Sequence, residues 1–169
     1  MNLWIALLSI ILCSLIGIVK GRSFKHRVCQ LEQSLVMLEK IQTYLRYEQM
    51  PTKDIIDCLV DCEELQQLCF LKFCHQQLKK SHDFPRLWTQ SIEQSANKMD
   101  FQKDDQKVLK MLGNILGSTN TENQLNQLEL VRQLLEQSFQ QATQEHQQKG
   151  KLFQSLGVLS GIAIAILCI

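Results

Sequence analysis

Residues 31–45 read LEQSLVMLEKIQTYL, and this stretch decides the fold. Leu31, Leu35, Leu38, Ile41 and Leu45 recur at steps of three and four, which sets them on one face of an α-helix. A strand would need apolar residues at every second position, and they are missing. No Gly/Pro cluster separates the stretch from the residues before it. The helix is therefore expected to run in from the N-terminal side and to end before Pro51, whose ring disfavours helical backbone at the preceding residue.

Working outward, Leu3–Val19 reads LWIALLSIILCSLIGIV and carries no charge. As a helix it is about 25 Å long, slightly short of a ~30 Å hydrocarbon core. Lys20 and Arg22 can snorkel to cover the difference. A cleaved signal peptide would open with Lys or Arg and close on an A-x-A-like site, and neither is present. At the other end Leu152–Ile169 reads LFQSLGVLSGIAIAILCI. Beyond Gln154 and Ser155 it is apolar on every face, as a membrane span or a deeply buried element is. The polar middle is too small to bury two such helices.

The averages conceal this layout. The chain has 169 residues, is 45% hydrophobic and 21% charged, and has a formal net charge of +1. With Gly 7 and Pro 2 it is neither collagen-like nor disordered. Its near-neutral balance, pI about 7.6, lacks the footprint of a nucleic-acid binder. All 18 Lys/Arg and all 17 Asp/Glu lie between Lys20 and Lys151. Lys20, Arg22, Lys25 and Arg27 follow the first apolar end, and Lys149 and Lys151 precede the second. By the positive-inside rule both flanks face the cytoplasm. The expected organisation is a transmembrane anchor at 1–21, a cytosolic helical bundle at 22–151 and a C-terminal transmembrane helix at 152–169.

Within the middle, a second helix is expected over Asp54–Glu64, with Asp54, Asp57, Asp61 and Glu64 along one side and Ile55, Cys58, Leu59 and Cys62 along another. A third apolar stretch, Leu68–Leu78, gives way to the turn Ser81-His82-Asp83-Phe84-Pro85. Leu87, Trp88 and Ile92 give a fourth helix its apolar face, with Trp88 as a core anchor, and Val108–Leu116 gives a fifth. Gly117-Ser118-Thr119-Asn120 then stops the chain, with Gly in the C′ role. Thr121-Glu122-Asn123-Gln124 has capping-box form, and Leu128, Val131, Leu135, Phe139 and Ala142 carry the last helix towards Gly150. The fold class is all-α: an antiparallel helical bundle whose long N- and C-terminal helices continue into the two spans.

Candidate chemistry is sparse. Cys58, Cys62, Cys69, Cys74 and His75 have the elements of a zinc site, but not the spacing of paired C-x₂₋₄-C knuckles. One helical turn apart on an apolar stripe, reduced cysteines act as small hydrophobes. The Asp54/Asp57/Asp61/Glu64 row reads as a solvated helix face or a surface for a basic partner. The histidines show no ligand or triad spacing, and no phosphate-cradling loop or G-x-S-x-G elbow occurs. No catalytic residue, cofactor or small-molecule substrate is expected. Gly157 and Gly161 form a small-xxx-small pair where another helix can approach closely. Gly113 reads as a close-packing or flexible point.

Several stretches together resemble the stage III sporulation protein AB family. They are Arg27-Val28-Cys29-Gln30-Leu31 after the apolar end, the Tyr47…Pro51 helix end and Trp88. Leu112-Gly113-Asn114-Ile115-Leu116-Gly117-Ser118 with Gln124, and Lys151 to Gly161, complete the likeness. Thr119-Asn120 departs from it where an acidic residue is common. The resemblance implies a place in the mother-cell-to-forespore transport assembly, in the mother-cell membrane around the forespore, with the middle in the mother-cell cytosol. It also implies a likeness to the platform-protein domains of type II secretion. A cytosolic secretion-type ATPase and other membrane proteins would be its partners, and a homo-oligomer stays open. The alternative is a generic membrane-anchored coiled-coil tether or signalling adaptor with no ATPase. A thiol- or zinc-dependent membrane enzyme is the third reading.

Overall fold

The structure, a computed structural model, describes residues 2–78, 83–116, 121–150 and 152, with backbone alone for 2–18, 121–122 and 150. Among them there are six α-helices and no strand. α1 (Asn2–Thr43) takes in residues 31–43 and closes on a π-helical turn, Tyr44–Glu48. α2 (Thr52–Val60), α3 (Cys69–Leu78), α4 (Phe84–Ser95) and α5 (Lys103–Leu116) are short, and α6 (Thr121–Glu145) is long. All-α is thus the observed class.

Contacts divide the chain into two units, Met1–Val28 with Gln140–Ile169, and Cys29–Phe139. In the second unit α4 packs on α3 and α5, and α2 packs on α3. The opening stretch is helical as expected, and Leu31, Leu38, Ile41 and Leu45 are buried. Leu35 is only half-buried, and Ser34 and Met37 take the core side instead. The buried Ser34 is satisfied locally, its hydroxyl donating to Gln30 O at 2.8 Å. At about 1.5–3 kcal/mol per buried aliphatic or aromatic side chain, this interior supplies the main stabilising term.

The helix ends are set by local chemistry. Gln49 takes a left-handed conformation at φ 47°, and its N–H donates to Tyr44 O, ending the helical run ahead of Pro51. Asp83 accepts from Arg86 N at 3.4 Å, with Pro85 in the first turn of α4. α5 begins at Lys103, earlier than the Val108 expected. There Asp105, buried, accepts from Gln102 N at 2.8 Å, the reciprocal half of a capping box. Thr52 Oγ1 donates to Leu116 O at 3.0 Å, satisfying a carbonyl at the end of α5.

One expected element needs correcting. The helix over Asp54–Glu64 stops at Val60, and Cys62 is extended before a short 3₁₀ turn, Glu63–Leu65. The buried residues of α2 are Ile55, Ile56 and Leu59, and Leu65 and Leu68 are buried next. Both leucines fall off the helical phase of Ile55 and Leu59, so the backbone leaves the helix to turn them inward.

Among the described residues no helix is long and apolar enough to cross a membrane. The two expected spans are not confirmed by the fold. Their side chains, apart from Val19 and Leu152, both exposed, lie outside the described residues.

Candidate functional site

The acidic row does not sit on one helix face. Asp54 is exposed in the first turn of α2, and Asp61 is exposed just past its end. Asp57 Oδ1 lies 3.3 Å from His75 Nε2 of α3, a link that sequence spacing does not announce. Glu64, on the 3₁₀ turn, pairs with Lys40 Nζ of α1 at 3.1 Å. This pairing holds the Glu64 carboxyl below the usual carboxylate range and the Lys40 ammonium above its own, chiefly through the hydrogen bond between them. Val36, Glu39, Lys40, Thr43, Tyr44 and Glu64 line an open groove of about 540 Å³. Lys40 and Tyr44 carry no signal in the sequence that would link them to Glu64.

The cysteines do not form one cluster, and their common reading as core needs correcting. Only Cys74 is buried; Cys58 is exposed, and Cys62 and Cys69 are half-buried. Burial pushes the Cys74 thiol up to about 12, against a smaller opposing pull from Ser91. It is a protonated core side chain at neutral pH. Cys62 Sγ lies 3.7 Å from Glu64 Oε2, a weak contact on the surface. Among the described residues no group of three or more His, Cys, Asp or Glu side chains could hold a metal ion.

The glycines divide as well. Gly113 is buried on α5, where an added Cβ would fall 2.5 Å from Trp88 Cδ1 and 2.8 Å from Cγ. Trp88 is fully buried, and its Nε1 donates to Leu109 O at 2.7 Å. Phe70 meets its ring edge-on at 5.2 Å, and Phe84 lies tilted at 5.6 Å. Gly113 is therefore a notch that seats the indole, and Trp88 is the core anchor expected. Gly117, Gly157 and Gly161 lie outside the described residues.

Of the basic flank, Lys20, Arg22 and Lys25 are exposed. Arg27 is buried, and its Nη1 pairs with Glu145 Oε2 at 2.8 Å; Lys149 Nζ lies 3.5 Å from Glu145 Oε1. Lys151 lies outside the described residues. Arg132 on α6 bridges Glu129 at 2.7 Å and Glu136 at 2.6 Å. The spacing i, i+3 and i, i+4 makes this cluster readable from sequence. The arrangement offers exposed acidic groups, a polar groove and a buried aromatic centre.

No curated protein matches the chain. A solved structure of stage III sporulation protein AB matches with a TM-score of 0.63 at 22% sequence identity, covering 72% of this chain and 96% of that one. This is a likeness of fold. The profile of the stage III sporulation protein AB family matches residues 2–169, and on that near-complete match the chain belongs to the stage III sporulation protein AB family.

Proposed function

We propose that the chain is a non-catalytic platform of the sporulation transport complex, holding a cytosolic secretion-type ATPase at the membrane around the forespore. A role in sporulation follows from the family match over residues 2–169, and that match is the observation that carries the reading. Two charge-free ends bracketing a middle with every charged residue support membrane insertion. The exposed carboxylates Asp54 and Asp61 supply a surface for a basic partner.

The test is affinity purification of the full chain from engulfing mother-cell membranes. Recovery of a secretion-type ATPase, reduced by Asp54→Lys with Asp61→Lys, is the expected result. Purification without any ATPase would leave the membrane tether or adaptor as the better reading.

A further inference from the structure

Charge is divided between the two units of the fold. Residues 1–28 and 140–169 carry six Lys/Arg against a single acid, Glu145, whereas residues 29–139 carry twelve against sixteen Asp/Glu. In the first of these units Glu145 is already engaged. Its Oε2 lies 2.8 Å from Arg27 Nη1 and its Oε1 3.5 Å from Lys149 Nζ, with the Arg27 side chain only 5% exposed. Lys20, Arg22 and Lys25 are exposed on α1, between the apolar run and Arg27. No acid precedes Glu32 in the sequence, so no carboxylate of their own helix is within reach at i, i+3 or i, i+4. Lys149 is exposed in the corresponding place, between Glu145 and the second apolar run. The Arg27–Glu145 pair joins the two flanks, and along the helix axes all four cations lie within about 11 Å of it. Val19 and Leu152, where the flanks meet the apolar runs, are exposed as well.

We propose that this basic belt binds the headgroups of anionic phospholipids. The inference rests on the membrane insertion proposed above and adds a lipid preference to it. To fix an orientation, cations need only stay out of the hydrocarbon, and a zwitterionic headgroup would serve for that. Exposed cations gathered without counter-charge also repel one another. A headgroup with a net negative charge relieves that repulsion and accepts their charge-assisted hydrogen bonds. A soluble acidic protein or a nucleic acid would leave Val19 and Leu152 in water. A lipid sets its headgroup against the cations and its acyl chains against the apolar runs, so charge and hydropathy select the same occupant. Near an anionic leaflet each such cation is worth about fivefold in affinity.

The experiment uses the full chain in neutral detergent with equimolar phosphatidylglycerol and phosphatidylcholine of matched acyl chains. Bound lipids are counted by mass spectrometry of the intact complex. The natural chain should retain phosphatidylglycerol about tenfold over phosphatidylcholine, and less so as sodium chloride is raised. Lys20→Gln with Arg22→Gln and Lys25→Gln should bring the two lipids close to parity, whereas Lys20→Arg with Lys25→Arg should keep the preference. All three positions are exposed, and unchanged circular dichroism checks the fold. Equal retention of the two lipids by the natural chain overturns the proposal, and so does an undiminished preference in the glutamine variant. Displacement of phosphatidylglycerol by inorganic phosphate, beyond that by sodium chloride of the same ionic strength, also overturns it and assigns the belt to a soluble phosphate. Flotation of the natural chain with pure phosphatidylcholine vesicles separates these failures from failure of the insertion. A chain that floats but shows no lipid preference is inserted and lacks the site; one that does not float overturns both readings.

Discussion

Gly113 shows how one residue sets a close approach. Alanine there would gain about 1 kcal/mol in helix propensity, but its Cβ would lie 2.5–2.9 Å from three Trp88 side-chain atoms. The indole is buried and bonded to Leu109 O, so it has no room to withdraw. Overpacking of this kind costs about 1–3 kcal/mol, and the clash wins. Gly113→Ala is expected to lower the urea midpoint of the full chain, read by tryptophan fluorescence; an unchanged or higher midpoint would refute the notch. The opposite sign is expected at Gln49, whose φ of 47° suits glycine better than a residue with a Cβ. Gln49→Gly should leave stability unchanged or raise it by up to about 1 kcal/mol. The Lys40–Glu64 pair adds a pH dependence. Glu64 titrates below its ordinary 4.5, so its contribution is present above that value and is lost as pH falls through the lower folded one. Lys40 titrates above its ordinary 10.5, so the contribution is present below that value and lost as pH rises past the folded one. Glu64 is exposed and Lys40 half-buried at the surface, so the effect is small and weakens with salt. Glu64→Gln should flatten the acid limb of a denaturation-midpoint profile; an identical limb would show that the pair does not form in solution.

At the scale of elements, α4 and α5 start on side chains that satisfy free backbone N–H groups, while α2 stops where the chain turns Leu65 and Leu68 inward. Thr52, at the start of α2, donates to Leu116 O at the end of α5, so a single hydroxyl ties two elements. Thr52→Val keeps the shape and removes the donor, and should cost about 0.5–1.5 kcal/mol in thermal or urea unfolding. The run into residues 31–45 was legible because apolar period and absence of breakers agreed over a long window. Leu35 was assigned to the core from that period alone. Ser34 takes the place because its hydroxyl bonds to Gln30 O and so can be buried without loss. The end of α2 was harder to read because no Gly or Pro marks it. The signal present is a break of phase: Leu59 is followed by Asp61, Cys62, Glu63 and Glu64, and the next apolar residues, Leu65 and Leu68, are out of step. The start of α5 was legible in principle from Gln102 and Asp105 at capping-box spacing. The Asp57–His75 and Lys40–Glu64 contacts were not, because they join residues that only the fold brings together.

Across the whole molecule the division of charge carries the most information. Every Asp, Glu, Lys, Arg and His lies between Lys20 and Lys151, while the near-zero net charge conceals that segregation. The exposed Lys20, Arg22 and Lys25 are free of the burial that takes Arg27 into its pair with Glu145. They are the residues that would hold the N-terminal flank on the cytosolic side. Cys58 supplies a natural reporter for the topology, being the exposed cysteine among those described. With the middle facing the cytosol, a membrane-impermeant maleimide should label a chain with Cys13→Ser and Cys168→Ser in sealed inverted vesicles and spare it in sealed right-side-out vesicles, and Cys58→Ser should remove most of that labelling. The buried Cys74, protonated at neutral pH with its thiol pushed up to about 12, should stay unreactive until the chain is denatured. Equal labelling of Cys58 from both sides, or from the outside alone, would overturn the orientation and with it the place of any ATPase beside residues 20–151. The expected one-sided labelling would put the acidic α2 surface and the Lys40–Glu64 groove in one compartment, where both are open to cytosolic partners.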